Sequence, residues 1–180
     1  MNLAVLAPDW AVWTLIGLLV LASLQDAAKL KISNLICGAV MLLGIATALF
    51  VGPQWSLWQN LLVFTIALTI GTWMFSAGIL GGGDVKLFAA TVLWFDLSGA
   101  LRLLLAVAIA GGLLSIVIIA LRTIGWSDGI RQRVIVLRAK AGIPYGIAIA
   151  VGAVAAVMLL QQSSRPLDPR ANWSALPGAR

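Results

Sequence analysis

Long apolar stretches alternate with short polar or glycine-rich breaks along nearly the whole chain. A helix of about 20 apolar residues crosses a bilayer, and stretches of that order recur. The first predicted span runs from about Trp10 to Leu24, with Pro8 suited to its first turn. A polar segment from Gln25 to Asn34 follows it. Further spans are predicted over about Leu35–Val51, which stops at Gly52-Pro53, and about Trp55–Phe75. The glycine-rich stretch Gly78 to Lys86 leads into a short fourth span, about Asp84–Phe95. A fifth covers about Ala100–Leu121, and a basic loop, about Arg122–Lys140, separates it from a sixth over Ile143–Leu160. The expected architecture is all-α, with six membrane spans in one domain over residues 1–161. The polar remainder, 162–180, lies in a tail that carries three prolines and is expected to be disordered. No basic residue precedes the first apolar stretch, so a cleaved signal peptide is not expected.

Composition agrees with that pattern. Of 180 residues, 62% are apolar and only 10% charged, and the mean hydropathy is +1.05. Soluble domains carry about 25% charged residues, so a water-soluble globule is excluded. The chain has no His, a single Cys (Cys37) and six acidic residues, all Asp. Serine-histidine chemistry, histidine metal sites and four-cysteine zinc sites are thereby removed, and neither a cofactor nor a metal is expected. The net charge of +6 points to lipid headgroups in so apolar a chain, not to nucleic acid.

Basic residues also set the expected orientation, because Lys and Arg collect on cytoplasmic loops. The loops after the first, third and fifth spans hold eight of the twelve: Lys29, Lys31, Lys86, Arg122, Arg131, Arg133, Arg138 and Lys140. Both termini are therefore expected outside the cytoplasm. Trp10, Trp55, Trp58, Trp94 and Trp126 fall near predicted span ends, where interfacial anchors belong.

Ionisable residues at this depth are candidates for function. Asp26 ends the first span and Asp84 begins the fourth, so the two share a side and a depth. Two carboxylates brought together can share one proton, since like charges at close range cannot both ionise. One can then act as base on a water and the other as acid toward a carbonyl. The plainer readings are a helix-end Asp26 paired with Lys29 and an Asp84 that caps its helix. Gly81-Gly82-Gly83 immediately precedes Asp84. Consecutive glycines disfavour helix, and non-helical backbone at membrane depth belongs where it is buried or lines a wet cavity. Such a segment lets water reach Asp84 and lets an extended peptide pair beside it; the bland alternative is a flexible connector.

These residues resemble a known family. Gly81-Gly82-Gly83-Asp84 fits the Gly-x-Gly-Asp motif of intramembrane aspartyl proteases, and its continuation through Ala90 looks like the fourth-span signature of type IV prepilin peptidases. Asp26 ahead of Lys31-Ile32-Ser33-Asn34 looks like that family's first motif, an Asp before a Lys-Ile-Pro-Asn run, with Ser33 where Pro is usual. Ile143-Pro144-Tyr145-Gly146-Ile147-Ala148-Ile149 is similar to the start of its last span. The resemblance covers about residues 10–160 and is best to the short, peptidase-only form of Flp/Tad pili. It implies an endopeptidase that removes the leader of prepilins and pseudopilins at the cytoplasmic face of a bacterial inner membrane, with the pilus assembly machinery as a possible partner. Asp26 and Asp84 would be catalytic, and Gly81, Gly82, Gly83, Lys86, Pro144 and Tyr145 would form the substrate-binding or active-site loop. The paired cysteines of the larger, methylating members are absent, so methyl transfer is not expected. A presenilin-type reading is disfavoured, because Gln25 precedes Asp26 where Tyr is usual and no Pro-Ala-Leu sequence occurs.

Other polar residues read more simply. Asp96 lies twelve residues beyond Asp84, near the opposite face, and cannot join the pair. Lys86 could favour an ionised Asp84 or hold a substrate carbonyl but reads first as a topology anchor, and Cys37 reads as a small hydrophobe. Ile130, Val134, Leu137 and Ala141 have helical spacing beside Arg131 and Arg138, which suits an interfacial helix or a plain basic loop. A non-enzymatic scaffold or transporter component, with Asp84 in an ion path, is the competing functional class.

Overall fold

The computed structural model describes residues 1–52, 54–124 and 142–164. The basic loop with its helical spacing and the polar tail lie outside the described residues. Seven helices are seen among those described: α1 (Leu3–Leu6), α2 (Asp9–Lys29), α3 (Asn34–Val51), α4 (Leu57–Ser76), α5 (Gly82–Val92), α6 (Leu97–Thr123) and α7 (Tyr145–Ser164). Five of them, α2, α3, α4, α6 and α7, are long and apolar enough to cross a membrane. Their outward faces are apolar and open, as at Leu35, Leu49 and Trp73, which are 84%, 70% and 68% exposed. Apolar surface on that scale suits lipid, not water, and the chain is a multi-pass membrane protein.

α5 corresponds to the expected fourth span. Its 11 residues rise only about 16 Å, well short of a ~30 Å hydrocarbon core. It lies inside the bundle, against α3 and α4 and touching α7, while α7 is flanked by α2 and α6. Its residues Val85, Leu87, Ala89, Ala90, Thr91 and Val92 are all buried. A helix that ends inside a bundle leaves carbonyls without water. Here the Asn60 side-chain amide of α4 donates to the Leu93 carbonyl at 2.9 Å. The Ala4 N–H of α1 donates to the Trp94 carbonyl at 3.2 Å. Trp94 itself is fully buried and donates its indole N–H to the Val40 carbonyl at 3.2 Å. The short α1, absent from the hydropathy pattern, thus closes the far end of α5.

Helix ends follow local chemistry. α2 continues five residues past the predicted stop at Leu24, because Gln25-Asp26-Ala27-Ala28-Lys29 contains no helix breaker. It stops where Leu30 adopts a left-handed conformation and donates its N–H to the Asp26 carbonyl at 2.7 Å. α4 stops at Gly78, whose φ of 72° permits a Schellman turn: Ile79 N–H reaches the Met74 carbonyl and Gly78 N–H the Phe75 carbonyl, both at 2.9 Å. Asp96 caps α6, accepting the Gly99 N–H at 2.8 Å, so it is structural and at the opposite end of α5 from Asp84. The triple glycine departs from its expected form. Only Gly81 is extended, whereas Gly82 and Gly83 form the first turn of α5. Packing of that half-buried turn against Phe75 and Ile32 offsets the low helix propensity of glycine.

Candidate active site

One end of the bundle gathers the last turn of α2, the 30–33 connection, and the first turns of α5 and α7. Asp26 is only 4% exposed. Its Oδ2 accepts the Gly146 N–H at 2.8 Å. Gly146 is the second residue of α7, and N–H groups of a first helical turn have no acceptor within their own helix. The carboxylate supplies one. The Ser23 hydroxyl, one turn back on α2, reaches the Gly146 carbonyl at 3.3 Å and the Leu19 carbonyl at 2.9 Å. α2 therefore grips the start of α7 through both polar groups of one peptide residue.

Asp84 stands in the first turn of α5, after Gly81 as the N-cap. Its Oδ1 is buried and has no hydrogen-bond partner among the described residues. Its Oδ2 lies 2.7 Å from where a Cβ on Gly81 would stand, so Gly81 leaves room for the carboxylate. Asp26 and Asp84 line one cavity of about 240 Å³, together with Leu30, Lys31, Ile32, Gly81, Gly82 and Gly83. A second, almost wholly apolar cavity of about 430 Å³ lies between α4, α5, α6 and α7. It is lined by Val63, Ile70, Phe88 and Leu104, among others, and by Asp84 and Tyr145. Asp84 is common to both cavities.

The other residues singled out in the sequence are placed as follows. Gly82 faces the Phe75 ring and Gly83 faces Ile32. Lys86 is turned to α3, donating to Asn34 Oδ1 at 3.0 Å, and lines neither cavity. Pro144 is fully buried just ahead of α7. Ser33, where the resembled motif has Pro, keeps a proline-compatible φ of −68° and caps α3 by accepting the Leu35 N–H. Its own N–H, which Pro would lack, donates to Gln25 Oε1 at 2.7 Å. The turn is held by that bond in place of a ring. Gly146, Ser23, Gln25 and Ile32 carry much of this geometry without having been singled out for it. Ile32 and Gly146 lay inside the quoted motifs, but Ser23 carries no signal at all in an apolar span. Among the described residues, no three His, Cys, Asp or Glu side chains gather as metal ligands.

A bundle of apolar helices with two carboxylates on one cavity defines the class as a polytopic membrane protein with an acidic site at one end of its bundle. The model of the type IV leader peptidase family matches residues 13–116, which include Asp26, the triple glycine and Asp84, and the chain belongs to that family. Gly146 and the rest of α7 lie beyond the matched residues. No curated protein and no solved structure matches the chain.

Proposed function

We propose that the protein is a membrane aspartyl endopeptidase that cuts the leader from Flp-type prepilins and pseudopilins at the cytoplasmic face of the inner membrane. The observation that carries this reading is the single cavity lined by both Asp26 and Asp84. The ionised carboxylate of the pair takes a proton from water, and the water oxygen attacks the peptide carbonyl carbon. The protonated carboxyl gives its proton to the carbonyl oxygen. Collapse of the tetrahedral intermediate breaks the C–N bond, and the amine leaves with the proton held by the base. The unpartnered Asp84 Oδ1 offers a position for that proton or for the water. The apolar cavity that shares Asp84 suits an apolar segment following the cleavage point, while the leader stays at the cytoplasmic face. The triple glycine and Tyr145 flank this path, and Lys86 acts as an anchor at its edge.

The test is co-expression with a candidate prepilin, read on a gel for the shortened product. Asp26→Asn and Asp84→Asn should each lower processing by ~10²–10⁴-fold or more, whereas Asp96→Asn should process normally. Full processing by either pair variant, with its expression confirmed, discards the dyad. A scaffold or transporter role with Asp84 in an ion path would leave prepilin processing independent of Asp26.

A further inference from the structure

The cavity between α4, α5, α6 and α7 is walled by apolar side chains. Among the described residues that line it, only Asp84 and Tyr145 have side chains able to hydrogen-bond. Tyr145 is the one tyrosine of the chain. It opens α7, directly after the buried Pro144 and directly before Gly146, whose N–H is bonded to Asp26. Its own N–H is tied to the Ile143 carbonyl at 2.9 Å. Its ring atoms Cδ1 and Cε1 lie 3.7 Å from where a Cβ on Gly111 of α6 would stand. The main chain of Tyr145 is thus fixed next to one carboxylate of the pair, its ring rests on α6, and it shares a cavity with the other carboxylate.

Packing accounts for the ring but not for the oxygen, since phenylalanine would fill the place on Gly111 as well. Among the described residues the Tyr145 hydroxyl has no hydrogen-bond partner. A phenol carries an apolar body and a polar tip, and the tip normally finds a partner when it is removed from water. An apolar substrate segment supplies one. In a helix each carbonyl is bonded to the N–H four residues on, so a peptide bond becomes open to attack where the helix has come apart. Opening strips carbonyls of their donors, and in surroundings without water each needs another. On the apolar cavity the walls offer none, Asp84 is engaged with the reacting bond, and the Tyr145 hydroxyl is the remaining donor.

We infer that Tyr145 is a substrate-binding residue: its hydroxyl donates a hydrogen bond to a backbone carbonyl of the apolar segment, just beyond the bond that is cut, and holds that stretch open beside Asp84. This deepens the peptidase reading and rests on it. The contact is with main chain, so it is indifferent to the side chains of the substrate.

The experiment uses the full chain purified in detergent and a synthetic prepilin segment that carries the leader end and the apolar residues after it. Tyr145→Phe keeps the ring on Gly111 and removes one oxygen. It should lower kcat/KM by ~10-fold, the scale of one neutral hydrogen bond. A direct reading comes from NMR of protein isotope-labelled at the tyrosine Cζ, which gives a single resonance because the chain has one Tyr. A segment with a methylene–amine bond in place of the scissile amide resists cleavage. Added at concentrations that inhibit cleavage, it should shift that resonance as the phenol gains an acceptor. This arm keeps Tyr145 and serves alone if the Phe variant is not recovered folded. Equal kcat/KM for a folded Tyr145→Phe overturns the inference and leaves the peptidase reading standing. A resonance that does not move also overturns it, and returns Tyr145 to the role of an interfacial anchor. Cleavage of no segment by the unaltered protein is a failure of the peptidase reading itself, and the inference falls with it.

Discussion

Gly146 and Asp26 are 120 positions apart in the chain and joined by a 2.8 Å hydrogen bond from the Gly146 N–H to the Asp26 carboxylate. The contact works because Gly146 has no side chain. A Cβ there would lie 2.9 Å from Asp26 Oδ2 and 3.0 Å from Asp26 Cβ. The last turn of α2 and the first turn of α7 are thereby locked at one distance, and Asp26 is oriented by a helix on which it does not lie.

Gly146→Ala should accordingly displace Asp26 without unfolding the bundle. The expected loss is in kcat, by ~10²-fold, the scale associated with misplacing a reacting group by about 1 Å. Purified variant and unaltered protein, compared on one synthetic prepilin segment, provide the measurement. Unchanged kcat would show that the position of Asp26 is set elsewhere.

Asn60 should matter for stability instead. It is buried on α4 and donates to the Leu93 carbonyl past the end of α5. Asn60→Leu keeps a similar volume but removes that donor and leaves the carbonyl unpaired. A loss of roughly 1–3 kcal/mol follows, the cost of an unsatisfied buried polar group, and should appear as a lower melting temperature in detergent. An unaltered melting temperature would mean that the end of α5 finds another donor.

Cleavage should have a bell-shaped dependence on pH. A proton-sharing pair works only with one carboxylate charged and the other neutral. Falling pH protonates the base and removes activity on the acid limb, whereas rising pH removes the shared proton and suppresses the alkaline limb. Chelators should have little effect. Abolition by chelator and recovery with added zinc would sink the aspartyl mechanism, even if prepilin proved to be the substrate.

Orientation has its own check. A reporter inserted near Ser127 should read cytoplasmic and one at the C-terminus should read periplasmic, because eight of twelve basic residues lie on one set of connections. A cytoplasmic C-terminus would invert the assignment of the acidic site to the cytoplasmic face.

Depth along the membrane normal is the part of this architecture that the chain declares locally. Apolar runs of bilayer length mark the long helices, and breaks such as Gly52 and Gly78 mark their ends. Counting spans puts Asp26 and Asp84 at the same end, and they do line one cavity. Hydropathy is nearly uniform around each of these helices, so it carries little information on which face turns to which neighbour; packing against other helices decides that. Hence the Asp26–Gly146 bond, the grip of Ser23 on α7 and the packing of Ile32 against Gly83 became visible only in the folded bundle. The closure of α5 by Asn60 and by α1 is of the same kind, since a carbonyl buried in an apolar bundle must find a donor and only tertiary structure says which one arrives. The helical state of Gly82 and Gly83 was decided there too. Their intrinsic preference opposes a helix, but contact with Phe75 and Ile32 rewards the bare backbone that lets α5 begin beside the second carboxylate.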